Sequence, residues 1–227
     1  MRAVIDKIKK FKRVVSGKDF FIKKTLSVSD EKVGSIYGGW WISTNGLSSK
    51  PLVVFSFGLG EDISFDIQML KKYNCKVYGF DPTPKSIKYI ESNNLDDNFI
   101  LYKFALSDEN GTLIFNLPEN EDHISGSLEN ISSRSQIEVE CKNLKTILKD
   151  VGVNEIDILK MDIEGSEYKV IENIIKSKIF PRQILIEFHH FFDNFNSDMS
   201  KGSINLLLRN GYDLFHIDGY NYSFLKK

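Results

Sequence analysis

From Pro51 onward, short apolar runs alternate with stretches of helical periodicity, and that alternation admits few folds. A strand that feeds a helix and then a parallel strand needs cover on both faces, which gives a doubly wound sheet. The runs Leu52–Phe57, Lys76–Phe80, Phe99–Lys103, Ile156–Met161 and Ile184–Phe188 read as strands. Helical patterns fall between them near Ser64–Tyr73, Lys85–Ser92, Leu144–Val151, Ser166–Lys176 and Ser200–Leu208. Asn210-Gly211 stops the last helix, as glycine past a helix end does. Tyr212–Ile217 and Tyr222–Leu225 then flank the turn Asp218-Gly219-Tyr220-Asn221. The expected fold is α/β, a mostly parallel doubly wound sheet with a C-terminal antiparallel hairpin. A second hairpin is expected about the tight turn Asp108-Glu109-Asn110-Gly111, ahead of a strand at Thr112–Leu117. The stretch Ser125–Ser135 reads as a loop that could wall a ligand pocket together with Phe191–Met199.

Residues 3–15 put Ala3, Val4, Ile8, Phe11 and Val15 at helical spacing with bases between them. The organisation expected is a basic helix and linker over residues 1–28 and one domain over 29–227. Packing of that helix on the domain is the favoured reading. Weak attachment to the inner, anionic face of a membrane is the alternative, each base adding on the order of 1 kcal/mol. Residues 1–24 hold nine bases and two acids, so a chain of net charge −1 carries −8 on the remainder. That sign does not suit a nucleic-acid backbone, and no nucleic-acid partner is expected. No apolar run approaches the ~20 residues of a membrane span, and no signal-peptide core is present, so the chain is expected to be cytoplasmic. Cys75 and Cys141 lie far apart without metal-ligand spacing and are expected to be reduced thiols.

In a doubly wound sheet the ligand lies beyond the carboxyl ends of the strands. The first of these ends is Phe57-Gly58-Leu59-Gly60-Glu61-Asp62, and Asp81, followed by Pro82, ends the next strand 21 residues after Gly60. Glycines let the backbone turn tightly against a ligand, and an acid about 20 residues on can accept ribose hydroxyls. A dinucleotide site wants a third glycine where Ile63 stands, and it wants no carboxylates beside the pyrophosphate. Glu61 and Asp62 would repel that group. A ribose-bearing cofactor with a cationic end, S-adenosylmethionine, fits better. Ala105, just past the third strand, is placed to flank an adenine ring.

The fourth strand delivers Asp162 and Glu164 to the same edge, with Ser166 placed to cap the following helix and Glu167 in its first turn. The fifth ends Ile186-Glu187-Phe188-His189-His190-Phe191-Phe192, so His189 or His190 is a candidate base between aromatic walls. Asp162, Glu164 and His189 are donor types that also suit a divalent ion, but the spacing does not require one and none is expected.

The stretch Leu159-Lys160-Met161-Asp162-Ile163-Glu164-Gly165-Ser166-Glu167, followed by Ile184–His189, resembles the FkbM-type methyltransferases, whose hallmark is K-x-D-x-E-G-x-E. Val54–Asp66 resembles the cofactor loop of a methyltransferase-like branch of that group, and Gly38-Gly39-Trp40 the element preceding it. The resemblance implies a class I methyltransferase (Rossmann-like) fold that uses S-adenosylmethionine, often on hydroxyls of sugars, glycans or natural products. It implies cofactor contacts at Ser56, Phe57, Gly58, Gly60, Glu61, Asp62, Asp81, Pro82, Ala105 and Asp162. Many relatives carry an acid at the Ser56 position. The expected reaction is O-methylation of a small-molecule or glycan acceptor, with Asp162, Glu164 and His189 as catalytic residues. The rivals are a nicotinamide-dependent oxidoreductase and an inactive methyltransferase-fold binding module.

Overall fold

The computed structural model describes residues 10–47, 51–116 and 136–227. Twelve strands and five helices of at least eight residues follow one another in it: β1 (Asp30–Val33), β2 (Trp40–Ser43), β3 (Leu52–Phe57), α1 (Ser64–Lys72), β4 (Cys75–Phe80), α2 (Pro84–Glu91), β5 (Phe99–Tyr102), β6 (Ala105–Leu106), β7 (Gly111–Asn116), β8 (Gln136–Lys142), α3 (Leu144–Val151), β9 (Ile158–Met161), α4 (Glu167–Lys176), β10 (Gln183–Glu187), α5 (Ser197–Arg209), β11 (Tyr212–Asp218) and β12 (Asn221–Lys226). Seven strands form the main sheet in the order β11-β12-β10-β9-β3-β4-β5. From β10 to β5 neighbours run parallel, while β12 lies antiparallel between β10 and β11. This is a doubly wound, Rossmann-like sheet with one reversed strand near its edge.

The apolar runs of the central strands are continuous because the sheet is covered on both faces. Alternate residues part company: Phe55, Phe57, Leu159, Met161, Ile184 and Ile186 join one core, whereas Leu52, Val54, Ile158 and Leu185 join the other. Helices α3, α4 and α5 seal the first core with Ile147, Ile171 and Leu207. Helices α1 and α2, with the β1–β2 ribbon, seal the second through Met69, Ile90 and Trp40. The strand order reverses between β3 and β9, so the crevice opens there.

Two local expectations are corrected. The turn before β7 does not make a hairpin of consecutive strands. Instead β6 and β7 both pair with β8, parallel and antiparallel respectively, in a separate three-stranded sheet. Asn110 turns its side chain to the start of α3, accepting from Asn143 N at 2.9 Å and donating to Thr146 Oγ1 at 3.0 Å. The β1–β2 ribbon carried no sequence expectation. Residues 10–15 are helical, but Phe11 is 58% and Val15 72% exposed, so these two apolar residues face outward. It is Arg13 that leans on the domain, bonded to Asp19 at 3.2 Å and set 5.0 Å over the Tyr220 ring. Ala3, Val4, Ile8 and the loop Ser125–Ser135 lie outside the described residues. No helix among the described residues is long and apolar enough to cross a membrane.

Gly58 is the point where β3 and β9 come closest after their last paired residues. It has φ +73°, and a Cβ there would stand 1.7 Å from the Asp162 carbonyl oxygen. That neighbour is backbone one residue past the end of β9, tied by its own N–H to Phe57 O at 3.1 Å, and has little room to move aside. Gly58→Ala should therefore cost about 3 kcal/mol or more, which lowers Tm by roughly 6–12 °C for a chain this size. Gly219→Ala, at φ +63° with no atom within 4 Å of the added carbon, should cost only about 1 kcal/mol. Thermal denaturation of the two variants checks the difference.

Candidate functional site

A cavity of about 280 Å³ opens at the carboxyl ends of β3, β4, β9 and β10. Its first wall is the glycine turn, where Gly58 and Gly60 both take positive φ. The turn is shaped by one carboxylate. Asp81 Oδ2 accepts from Leu59 N at 2.9 Å and Gly60 N at 3.1 Å, and Oδ1 accepts from Thr83 N at 2.9 Å and Thr83 Oγ1 at 2.6 Å. Those four bonds fill the acceptor positions of a carboxylate. Thr83 Oγ1 also lies 2.7 Å from Ser86 Oγ, so it has a second partner to turn to.

Asp62 is clasped by the segment that precedes β2. Its Oδ2 accepts from Ser35 Oγ at 2.8 Å and its Oδ1 from Ser64 N at 2.9 Å, while Gly38 N donates to Ser35 Oγ at 2.8 Å. Burial raises the Asp62 pKa, but these hydrogen bonds outweigh it and hold the carboxyl below its usual range. Glu61 pairs with Lys85 at 3.0 Å. Tyr37, Gly38 and Trp40 bring the same segment over the cavity, and Pro82, Ala105, Leu106 and Phe115 line its other side.

The second wall comes from the turn after β9. Lys160, 5% exposed, donates to Gly58 O at 2.7 Å from below. Asp162 N donates to Phe57 O at 3.1 Å, which sets its side chain at the mouth. Glu164 takes φ +51°, uncommon for a residue with a side chain, and lines the cavity beside Asp162. His189 Nε2 lies 3.5 Å from Asp162 Oδ1 and 3.3 Å from Glu164 Oε2. Glu167 holds that ring from behind: its Oε1 is 3.2 Å from Nδ1 and accepts from His189 N at 2.9 Å, while Oε2 accepts from Gly165 N at 2.8 Å. Burial lowers the His189 pKa, yet Glu167, Glu164 and Asp162 raise it to about 9. Burial and the charges of Asp162 and Glu164 push Glu187 up to about 7. Burial raises Asp162 too, against the attraction of Lys160 and His189.

The structure thus brings Phe57, Gly58, Gly60, Glu61, Asp62, Asp81, Pro82, Ala105, Asp162 and Glu164 to one cavity, with His189 touching its acids. Ser56 is not brought there. Strand alternation turns it into the interior, fully buried, where its hydroxyl neighbours Asp66, itself pushed up by burial. His190 points the other way, 3.0 Å from Ser200 Oγ and 3.6 Å from Asp19, with burial lowering its pKa. Ser166 makes no side-chain cap, and Glu167 serves His189 and Gly165 rather than the helix end. Phe191 and Phe192 flank the His189 ring at 5.5 and 5.1 Å. Sequence reasoning gave no role to Lys160 or Glu187. The signal was present in each case as a charge on an otherwise apolar strand.

The family model described as the methyltransferase FkbM domain matches residues 58–214. The human probable methyltransferase-like protein 24 is 27% identical over 161 residues, 70% of this chain and 38% of that protein. Its rat counterpart is 26% identical over 181 residues, 75% and 44% respectively. The chain therefore spans less than half the length of these curated relatives. Among solved structures, a fibrillarin pre-rRNA processing protein of Methanococcus jannaschii aligns with TM-score 0.46 at 12% identity, over 92% of this chain and 87% of that one. An Aeropyrum pernix fibrillarin solved with S-adenosylmethionine aligns with TM-score 0.42 at 11% identity, over 79% and 66%.

Proton linkage at this edge has one direction. His189 is raised above its unfolded value, so its contribution is complete below about pH 6.5 and is lost as pH rises through about 9. Glu187 is raised as well, so its cost sets in above about 4.5 and is complete above about 7. The ligand-free chain should lose stability steadily from about pH 5 to 9.5, His189 accounting for on the order of 3 kcal/mol. Urea denaturation across that range checks it, and Glu167→Gln should flatten the upper half of the curve.

Proposed function

The chain belongs to the FkbM methyltransferase family, an S-adenosylmethionine-dependent group, and from that premise we propose that it methylates a hydroxyl oxygen of a sugar, glycan or natural-product acceptor. One observation supports the cofactor above others: among the described residues, six carboxylates (Glu61, Asp62, Asp81, Asp162, Glu164 and Glu187) line the cavity against a single ammonium, Lys160. Such a wall attracts the sulfonium and ammonium of S-adenosylmethionine and opposes a pyrophosphate. Ile63, standing where a dinucleotide fold has its third glycine, is buried in the core beneath the turn. These two features weigh against the nicotinamide reading.

Asp81 receives the ribose, with Thr83 Oγ1 yielding its place to a ribose hydroxyl and keeping Ser86. The amides and acids of Gly58–Asp62 take the methionine end, and Ala105, Leu106 and Phe115 shelter the adenine. Bound there, S-adenosylmethionine supplies a methyl carbon already activated by its sulfonium. The protein's task is then to align an acceptor oxygen behind that carbon and to ionise it. Alignment of this kind can contribute roughly 7–11 kcal/mol. The Asp162–Glu164–His189 group takes up the hydroxyl proton at His189 Nε2, which lies against the two lining carboxylates. A cofactor cation beside these acids lowers the field that keeps the ring protonated, so binding prepares the base.

Thermal unfolding with S-adenosylmethionine, its demethylated product and NADH tests the cofactor. The first two should raise Tm by roughly 5–10 °C at 100 times their dissociation constants. A rise with NADH alone overturns the reading. With an acceptor in hand, His189→Ala should cut turnover by about 10²–10⁴-fold with cofactor affinity retained, and unchanged turnover would remove His189 from the reaction.

A further inference from the structure

Three donor atoms of two kinds meet at the cavity mouth. Asp162 Oδ1 and Glu164 Oε2 lie 3.5 and 3.3 Å from His189 Nε2, and one ligand atom from each residue falls within 4.8 Å of the other two. Neighbouring ligands on an ion with bonds of about 2.1 Å stand about 3 Å apart. Small side-chain rotations would close this set around one centre.

Two further observations separate the cluster from an ordinary ion pair. The imidazole is fixed from behind by Glu167, wholly buried, whose Oε1 reaches both Nδ1 and the backbone N of His189 and whose Oε2 is tied to Gly165 N. A carboxylate behind the ring sets its orientation and leaves Nε2 as the outward donor, the support that metal-bound histidines carry. Secondly, Asp162, Glu164 and Glu187 share this side of the cavity with Lys160, the one lining base among the described residues, and its ammonium is already directed at the carbonyl of Gly58.

We infer that Asp162, Glu164 and His189 form a binding site for a divalent first-row transition cation, open on its cavity side. One imidazole with two carboxylates suits Mn²⁺, Fe²⁺, Co²⁺ or Zn²⁺, whereas Mg²⁺ and Ca²⁺ favour oxygen-only sets. The inference deepens the methyl-transfer reading and rests on it for its consequence, though not for the binding itself. An acceptor hydroxyl coordinated on the open side loses its proton to solvent. The oxygen stays on the ion until it bonds the methyl carbon as the carbon–sulfur bond breaks, leaving the neutral thioether. Ion and imidazole proton exclude each other at Nε2, so uptake of the proton by His189 belongs to the ion-free chain.

The test uses the chelator-treated full chain and Mn²⁺ alone, followed by electron paramagnetic resonance of the free ion. One ion per chain should bind saturably. Glu164→Gln and His189→Gln should each weaken binding at least roughly tenfold, and Glu167→Gln, which leaves all three ligands in place, by roughly 10–100-fold. Should those variants misfold, the wild-type chain still answers: Mn²⁺ should broaden the His189 ring signals in NMR before those of His190 or His216. No saturation up to about 1 mM Mn²⁺, Co²⁺ or Zn²⁺ overturns the site. So does undiminished binding by His189→Gln, or equal broadening of His189, His190 and His216. Ion binding without a thermal shift from S-adenosylmethionine would sink the methyl-transfer reading and spare the site. The opposite pattern would sink the site alone.

Discussion

The buried ammonium of Lys160 ties the two halves of the crevice together. It rises from β9, reaches the carbonyls of Gly58 and Phe57 at 2.7 and 3.5 Å, and lies 5.4 Å from the Trp40 ring. Desolvating an ammonium costs several kcal/mol unless its donors and charge are answered. Carbonyls of the glycine turn answer the donors, and Asp66 and Asp162 answer the charge. The position of the turn, the order of the strands and the acidity of the cavity are therefore aspects of one arrangement. Without the lysine, Asp66, wholly buried and already pushed up in pKa, would lose its largest favourable charge contact.

The backbone of the fold was legible because its strands are covered on both faces, which writes each as an uninterrupted apolar run. β3 was placed to the residue, and β4, β5, β9 and β10 to within two residues at either end. Legibility failed where pairing is non-local. β8 inserts between β6 and β7, and nothing in Asp108–Gly111 says that the strand after the turn will bond to a segment some 25 residues later. It failed again at the N-terminal helix. A helical period identifies an apolar face without identifying what that face meets, and Phe11 and Val15 meet no core.

The site was legible by place and not by role. The ends of β3, β4, β9 and β10 reach the cavity, because carboxyl ends of parallel strands converge there whatever they carry, while His190, named at the last of these ends, turns away. Roles depend on which way a side chain leaves the backbone. Ser56 and Phe57 are neighbours in sequence, yet the pleat sends Phe57 to the lining and Ser56 toward Asp66. Glu167 reads as a first-turn acid suited to the helix dipole, but in space it orders the loop at Gly165 and the ring of His189. Propensity accounts for where Glu167 sits, and the hydrogen bonds account for what it does.

His189 and His190 show how far environment outweighs residue type. The chain turns between them, so one ring faces Asp162, Glu164 and Glu167 while the other enters a pocket with Phe20, Tyr220 and Ser200. Both are 3% exposed, and burial pushes both toward neutrality. Three carboxylates reverse that push at His189. At His190 the single carboxylate of Asp19 is offset by Lys10 and Arg13, and burial prevails. Two adjacent imidazoles of equal exposure thus differ in the sign of their shift, and only the first touches the acids that line the cavity. The basic segment near residue 13 adds to that division, because its positive charge beside Asp19 favours the neutral form of His190 in the direction that burial already sets.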